Sequence, residues 1–566
     1  MPANRHSRKL EQRGCQAAAV TVLRLPVHGC PKPAVTRRWL PLALLAACAL
    51  AAGATGCGSS STKTTPAQVI QAHRAGPESV FTVASELYSN SAANMDLLQS
   101  LGVGNVRLDM NWGSVAPDPS SRQKPAFNAR DPNAYPAMAT YDPLIRGLLA
   151  RHIGVDLALI GKPPLWASGP GAPNHQPQWK PNAADYADFV YAVGTRYSGH
   201  FTPSGASHPL PRVNFWSVWN EPNIGNNLGP ETPHPGSPVE VAPMLYRGLL
   251  NGAWTSLHAT GHGNDRILIG ELAPAGARFK GAPGLFGAMA PLRFLRALYC
   301  VDANYQPLRG TEAAERGCPT TATASASFVA QNPALFKAPG FAVHPYSFTS
   351  LAPNVRVPNE PDYAELAAMP TLEATLDRLQ QVYGSNKKFP IWSTEFGYIT
   401  NPPNTQYTIT PARAAYFLNW AEYMTWQDPR LKSFDQFLIT DPPGTTVFST
   451  GLKTATGQPK PAFDAFRMPL YLPVTSTTGT HPLLVWGDVR PAPDAARRTH
   501  QRQNVQIQFK PASGGNFTTL STVPLQDPHG YFEARQAFPS SGSVRLRWTY
   551  PNGQTVFSRT VDVTVQ

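Results

Sequence analysis

From about residue 80 to about residue 467 the chain alternates short apolar strands with amphipathic helices, and this restricts the possible folds more sharply than any other feature. Strands are predicted at 80–85, 105–110, 155–160, 213–219, 266–270, 340–343, 389–394 and 434–439. Helices are predicted at 94–101, 142–152, 183–197, 243–260, 371–383, 411–426 and 461–467. Their ends are punctuated as helices require: Gly102 closes the first, Asp142 caps the next ahead of Pro143, and Thr410-Pro411 open another. Within 371–383, Leu372, Leu376, Leu379 and Tyr383 form one stripe, the period of a core-facing helix. Eight strand–helix repeats over about 390 residues imply a (β/α)8 TIM barrel with enlarged loops.

Two of these strands end on a carboxylate in an aromatic frame. Val213-Asn214-Phe215-Trp216-Ser217-Val218-Trp219-Asn220-Glu221-Pro222-Asn223 is mostly apolar up to Asn220, and Pro222, with no N–H for a ladder, forces the strand to stop. Phe389-Pro390-Ile391-Trp392-Ser393-Thr394-Glu395-Phe396-Gly397 repeats the pattern, with Gly397 marking the turn. The C-terminal lip of a barrel strand is where such folds hold their chemistry. Glutamates on the lips of strands four and seven can face each other across the mouth. A pair of carboxyls roughly 5–5.5 Å apart is what a retaining glycosidase needs, one protonating the leaving oxygen and one attacking the anomeric carbon. Asn-Glu-Pro alone arises by chance; both framed strand ends together are far more specific.

On these motifs the stretch from about 80 to 467 resembles the clan A glycoside hydrolases, families 39 and 5 in particular. The resemblance implies Glu221 as acid/base, Asn220 as donor to the sugar 2-hydroxyl and Glu395 as nucleophile. Arg107, in Asn105-Val106-Arg107-Leu108, matches the strand-two arginine that pairs with the nucleophile and keeps it ionised. His344 and Tyr346 match a strand-six His-x-Tyr whose hydroxyl contacts the nucleophile. The stretch 448–462, with Gly451-Leu452 and Gly457-Gln458-Pro459-Lys460-Pro461, is similar to the end of many such barrels. One departure concerns the sugar: the clan often places a stacking Trp after strand eight, where this chain runs Phe437-Leu438-Ile439-Thr440-Asp441. Stacking then falls to Trp112, Trp166 or Tyr398.

Each assignment has a plainer rival. Glu221 and Glu395 would serve as rim ion-pair residues, and Glu271, Glu86 and Asp109 also end strands. Arg107 would serve as an ordinary buried ion-pair residue, His344 as a hydrogen-bonded core histidine, and Trp112 and Trp166 as core. The expected activity is retaining hydrolysis of O-glycosidic, β-linked bonds in an oligo- or polysaccharide by double displacement. No metal or organic cofactor is implied. A neutral Glu221 would need its pKa raised by burial and by the charge of Glu395, while Arg107 holds Glu395 anionic. Transglycosylation, or carbohydrate binding on a catalytically dead barrel, are the alternatives; retention of both carboxylates and Arg107 weighs against the second.

The flanks define the remaining organisation. Arg37-Arg38 precede an apolar run, 39–54, too short for a comfortable membrane span, and together they imply an export signal. Ala54-Thr55-Gly56-Cys57 resembles a bacterial lipobox, implying lipidation of Cys57; ordinary cleavage after Ala52-Gly53-Ala54 is the alternative. Residues 1–57 are therefore expected to be an extension and export signal, and 58–75 a Ser/Thr-rich tether. The barrel then spans 76–470, and 471–566, with short strands and no visible helical period, a small Ig-like β-sandwich. The product would be a cell-surface lipoprotein or a secreted monomer, touching membrane only through a lipid anchor. In that oxidising setting Cys300 and Cys318 form a natural local disulfide. Of the formal charge of +13, +7 sits in residues 1–40, and no basic cluster interleaved with aromatics follows, which disfavours nucleic-acid binding.

Overall fold

The computed structural model describes residues 66–70, 74–83, 86–173, 176–277, 283–347 and 351–566; the leader with Cys57 and most of the tether lie outside the described residues. Eight parallel strands follow one another around a barrel: β1 (Glu78–Thr82), β2 (Asn105–Asn111), β3 (Gly154–Ile160), β4 (Phe215–Val218), β5 (Arg266–Leu272), β6 (Gly340–Val343), β7 (Ile391–Ser393) and β8 (Ser433–Phe437). Continuous ladders join β7 through β1 to β8. The remaining seam is closed by single bonds, Lys432 N to Ile391 O (2.7 Å), Ile391 N to Arg430 O (2.8 Å) and Phe437 N to Phe396 O (2.8 Å). Helices α1 (Ser91–Ser100), α2 (Asp142–Ala150), α3 (Ala183–Arg196), α4 (Ala242–Ala259), α5 (Pro291–Leu298), α6 (Met369–Val382), α7 (Pro411–Gln427) and α8 (Pro461–Arg467) occupy the successive crossovers and the end of the barrel.

Side-chain alternation decides what enters the lumen. Along β2, Val106, Leu108 and Met110 join the large apolar core under the helices, so Arg107 and Asp109 must point the other way. The lower lumen is plugged by Phe215, Leu268, Ala342 and Trp392. The Arg266 guanidinium lies 4.6 Å from the Phe215 ring and 4.2 Å from that of Trp392, and pairs with Glu78 at 3.2 Å. Polar chemistry is thereby confined to the upper half. Two expected strands stop early, because the residues that follow Val218 and Phe437 turn left-handed: Trp219 at φ 70° and Leu438 at φ 72°. Glu221 (φ 42°) and Glu271 (φ 50°) share that conformation, which costs a residue with a Cβ about 1–2 kcal/mol.

The C-terminal region forms two sheets around one apolar cluster. The first contains β9 (Leu470–Tyr471), β11 (Leu483–Asp488) and β14 (Tyr531–Gln536); the second contains β10 (Ser476–Thr477), β12 (Asn504–Pro511), β13 (Thr518–Pro524), β15 (Gly542–Thr549), β16 (Thr555–Phe557) and β17 (Val561–Val565). Three findings differ from expectation. Gln68–Ile70, expected in the tether, pairs antiparallel with β14 and is an edge strand of the first sheet. The final expected strand is two, β16 and β17. A helix, Ala492–Thr499, also lies within this region; its inner face is only Ala492 and Ala495, too small to display a period among polar neighbours. Cys300 and Cys318 are disulfide-bonded, with Cα atoms 5.6 Å apart.

Candidate active site

Six of the expected residues meet in one network at the C-terminal mouth. Arg107, fully buried on β2, spreads its guanidinium over four acceptors. Nη1 donates to Asp109 Oδ1 (2.8 Å) and Glu395 Oε1 (3.1 Å), and Nη2 donates to Asn220 Oδ1 (2.8 Å) and Glu271 Oε2 (3.1 Å). Tyr346 donates its hydroxyl to the other oxygen of Glu395, Oε2, at 3.1 Å. His344 lies between the carboxylates, with Nδ1 2.9 Å from Glu221 Oε1 and 3.5 Å from Glu395 Oε2, and Nε2 2.9 Å from Glu271 Oε2. Asn227 Nδ2 approaches Glu221 Oε2 at 3.5 Å. Backbone fixes Glu221 too: its N–H donates to Glu271 O at 2.8 Å, holding the left-handed turn that follows β4.

Exposure separates the working groups from their supports. The side chains of Arg107, His344 and Glu271 are 0% exposed, whereas Glu221 is 18%, Glu395 12% and Asp109 34% exposed. Three carboxylates thus reach solvent at the C-terminal mouth, over the buried side chains of Arg107 and His344. Burial is the largest influence on Glu395 and raises its carboxyl to about 7, with His344 and Arg107 pulling it down and Glu221 and Asp109 pushing it up. Arg107 therefore contacts Glu395 as expected but does not hold it in the ordinary carboxylate range. Burial disfavours a charged His344, yet Glu395, Glu221 and Glu271 outweigh it and raise the imidazole to about 10. Glu271 is the reverse case: burial raises it, but Arg107 and His344 leave it at about 2. Asp156, below, is raised to about 8 by burial and the Glu271 charge.

Two of the three rival carboxylates, Glu86 and Glu271, resolve into supports. Glu86 Oε1 accepts from Ile439 N (3.1 Å) and Thr440 N (3.3 Å), tying the loop after β1 to the end of β8. Glu271 is buried beneath the pair. Glu221, His344 and Glu395 bring ligand-type atoms within 4.8 Å of one another.

Trp112 is not a platform. It is fully buried, stacked on Phe189 at 5.7 Å and edge-on to Trp166 at 6.0 Å. Trp166 donates Nε1 to Pro117 O (2.9 Å), and Tyr398 packs against Phe396 and Phe417; both are nearly buried. An aromatic that does face solvent near these residues is Tyr88, 47% exposed, in the short helix Glu86–Ser89. Its ring meets Tyr141 edge-on at 5.9 Å, and Tyr141 donates to Asp109 O at 3.0 Å, so Tyr88 stands on the rim beside Asp109. Nothing in Glu86-Leu87-Tyr88 as a sequence distinguishes it from core.

No known family profile matches the chain, and no curated protein does. Among solved structures it is similar to a family 39 glycoside hydrolase from Bacteroides cellulosilyticus WH2, at 13% identity over 81% of this chain and 79% of that one, with a TM-score of 0.41. It is also similar to a glucosidase from Croceicoccus marinus (11% identity, 88% and 94% covered, TM-score 0.45) and to a rice β-glucosidase (13% identity, 68% and 87% covered, TM-score 0.42).

Proposed function

We propose that this chain is a retaining glycoside hydrolase that cleaves β-linked O-glycosidic bonds in an oligo- or polysaccharide, with Glu221 as acid/base and Glu395 as nucleophile. The observation that carries this reading is the approach of a Glu221 oxygen to within 4.8 Å of a Glu395 oxygen, across the mouth from β4 to β7. Retaining pairs stand about 5–5.5 Å apart, whereas inverting pairs need roughly 6.5–9.5 Å to admit a water. Glu395 would attack the anomeric carbon while Glu221 gives its proton to the departing oxygen; Glu221 would then take a proton from the water that releases the sugar. Arg107 and Tyr346 hold the two Glu395 oxygens and so aim the attack. Asn220, fixed by Arg107 through its Oδ1, keeps its amide N–H for the sugar 2-hydroxyl.

The same proposal includes export, with Cys57 as the lipid-bearing residue of a surface protein that acts as a monomer; the Cys300–Cys318 disulfide supports an oxidising destination. Mass spectrometry of the exported chain would read a diacylglycerol on Cys57, absent in Cys57→Ala. The catalytic reading is tested with aryl β-glycosides on wild type and Glu395→Ala. Phenol release by the first, and azide rescue of the second giving a glycosyl azide of inverted configuration, is the expected result. A fully active Glu395→Ala sinks the assignment.

A further inference from the structure

Beneath the two carboxylates lies a third that no substrate reaches. Glu271 sits at a left-handed bulge one residue before the end of β5, and its Oε2 accepts from Arg107 Nη2 (3.1 Å), His344 Nε2 (2.9 Å) and Thr394 Oγ1 (3.1 Å), donors carried by β2 and by the residues just past β6 and β7. A carboxylate so supplied stays ionised and can only accept. Whatever else happens at the mouth, the Nε2 of His344 must therefore carry hydrogen.

That leaves Nδ1, which lies 2.9 Å from Glu221 and 3.5 Å from Glu395. We propose that Glu271 is a positioning residue for the catalytic pair: by fixing the proton of His344 on Nε2 and the plane of its ring, it makes Nδ1 the atom that exchanges a proton with Glu221 and Glu395. The logic is that of a buried carboxylate orienting a catalytic imidazole, in which the carboxylate sets the tautomer and does not itself take up the proton. It rests on the glycosidase reading for the identity of the pair, but the tautomer is fixed regardless of the reaction.

The surroundings keep the negative charge on Glu271. Asp156, on β3, receives Ser217 Oγ at 3.0 Å and is raised to about 8, so it holds a proton while Glu271 does not. Asp435, on β8, is likewise pushed up by burial and takes donors from Thr82 Oγ1 (3.1 Å) and Phe396 N (2.9 Å). Arg107 and Asp109 face the site from β2, and Tyr346 from β6. The ring at about 10 has Nδ1 occupied in the resting state, shared between Glu221 and Glu395.

Replacing Glu271 with Gln keeps the shape but supplies an amide N–H that can donate to Nε2, allowing a neutral ring. The test uses the full exported chain and two readouts. Nitrogen-15 NMR of the histidine rings, assigned with His344→Gln, reports the tautomer without any need for turnover. Wild-type His344 is expected to carry hydrogen on both nitrogens at neutral pH, and E271Q to show a neutral ring. Because a neutral His344 no longer lowers Glu395, the acid limb of the kcat/KM profile should move up by about one pH unit, a loss of about tenfold on that limb, with KM nearly unchanged. A wild-type His344 that is neutral at pH 7 with its hydrogen on Nδ1 overturns the proposal without any variant. So does a folded E271Q whose ring signals and pH profile superimpose on wild type. If wild type carries hydrogen on Nε2 yet hydrolyses no glycoside, the catalytic reading fails and the role of Glu271 in holding that proton stands.

Discussion

Glu395 takes its donors from two strands, Arg107 on one oxygen and the Tyr346 hydroxyl on the other, each at 3.1 Å. Because burial already drives that carboxyl to about 7, each donor does more than orient it: each opposes protonation. Tyr346→Phe deletes one donor without changing the ring, which packs on Phe396 and Phe448. A hydrogen bond to a charged group contributes about 1.5–3 kcal/mol, so kcat/KM should fall about 10- to 100-fold. Its acid limb should move to higher pH; steady-state profiles of both proteins check this, and an unmoved limb would show that the hydroxyl serves only packing. Tyr88 is a contrasting case. Half-exposed and partnered through its side chain only by Tyr141, it should tolerate Tyr88→Ala with stability lowered by no more than about 1 kcal/mol. If the ring stacks on sugar, KM for an oligosaccharide should rise several-fold with kcat held, which initial-rate kinetics would read directly.

Elements carry these residues into register through a few close approaches. A Cβ added at Gly161, just past β3, would stand 2.6 Å from Cζ2 of the fully buried Trp219, next to Asn220. Gly161→Ala must push that indole, and with it the left-handed turn that aims Asn220 and Glu221. The expected result is a kcat lowered at least about tenfold in a protein that still folds. A variant with wild-type kcat would show that the turn holds without Trp219. The eight strands were legible as apolar runs because a barrel buries both of their faces. Their ends were not, since Trp219 and Leu438 leave the strand by a backbone turn that only neighbouring strands stabilise. Asn220-Glu221 and Glu395 were legible because proline and glycine punctuate them. Glu271 was visible as a strand end, but its partners lie 164, 73 and 123 residues away, and no local pattern encodes them. Trp112 was ambiguous for a related reason: one residue past β2, a ring can turn to the mouth or to the helices, and Phe189 on α3 settles which.

At the scale of the whole molecule, buried charge makes stability depend on pH in a direction that can be worked out. Asp156, raised from 3.8 to about 8, binds its proton more tightly when folded, so its contribution falls as pH climbs between those values. His344, raised from 6.5 to about 10, stabilises fully below 6.5 and loses that stabilisation as pH rises through 10. Glu271, lowered from 4.5 to about 2, opposes them only at the acid end, where its stabilisation, present above 4.5, is lost as pH falls through 2. Thermal melts should therefore show a higher Tm near about pH 5 than near about pH 9, and Asp156→Asn should gain stability at the higher pH and little at the lower. A flat Tm across that range would contradict the assignment of charge in the lumen.

A buried ion pair also joins the barrel to the sandwich. Glu422 on α7, fully buried, accepts from Arg490 Nη2 at 2.6 Å and from the Tyr531 hydroxyl at 2.7 Å, beside the rings of Tyr423, Tyr471 and Trp486. Arg490 also donates Nε to Phe466 O at 2.9 Å and lies 4.2 Å from the Phe466 ring, so one side chain fastens β11's exit to both α7 and α8. Arg490 Nη1 also lies 3.6 Å from the buried Asp488, whose carboxyl burial raises well above its ordinary value. Arg490→Met leaves Glu422 buried without its cation, which costs about 3–5 kcal/mol, whereas Arg490→Met with Glu422→Leu leaves only Asp488, which can take up a proton, and should recover most of the loss. Scanning calorimetry of the three proteins decides the role of the sandwich. One cooperative transition that moves down in the single variant and back in the double means the sandwich is part of the barrel's stability. Two transitions in wild type, with only the sandwich's moving, would mean that the contact is incidental and that the C-terminal region folds for a purpose of its own.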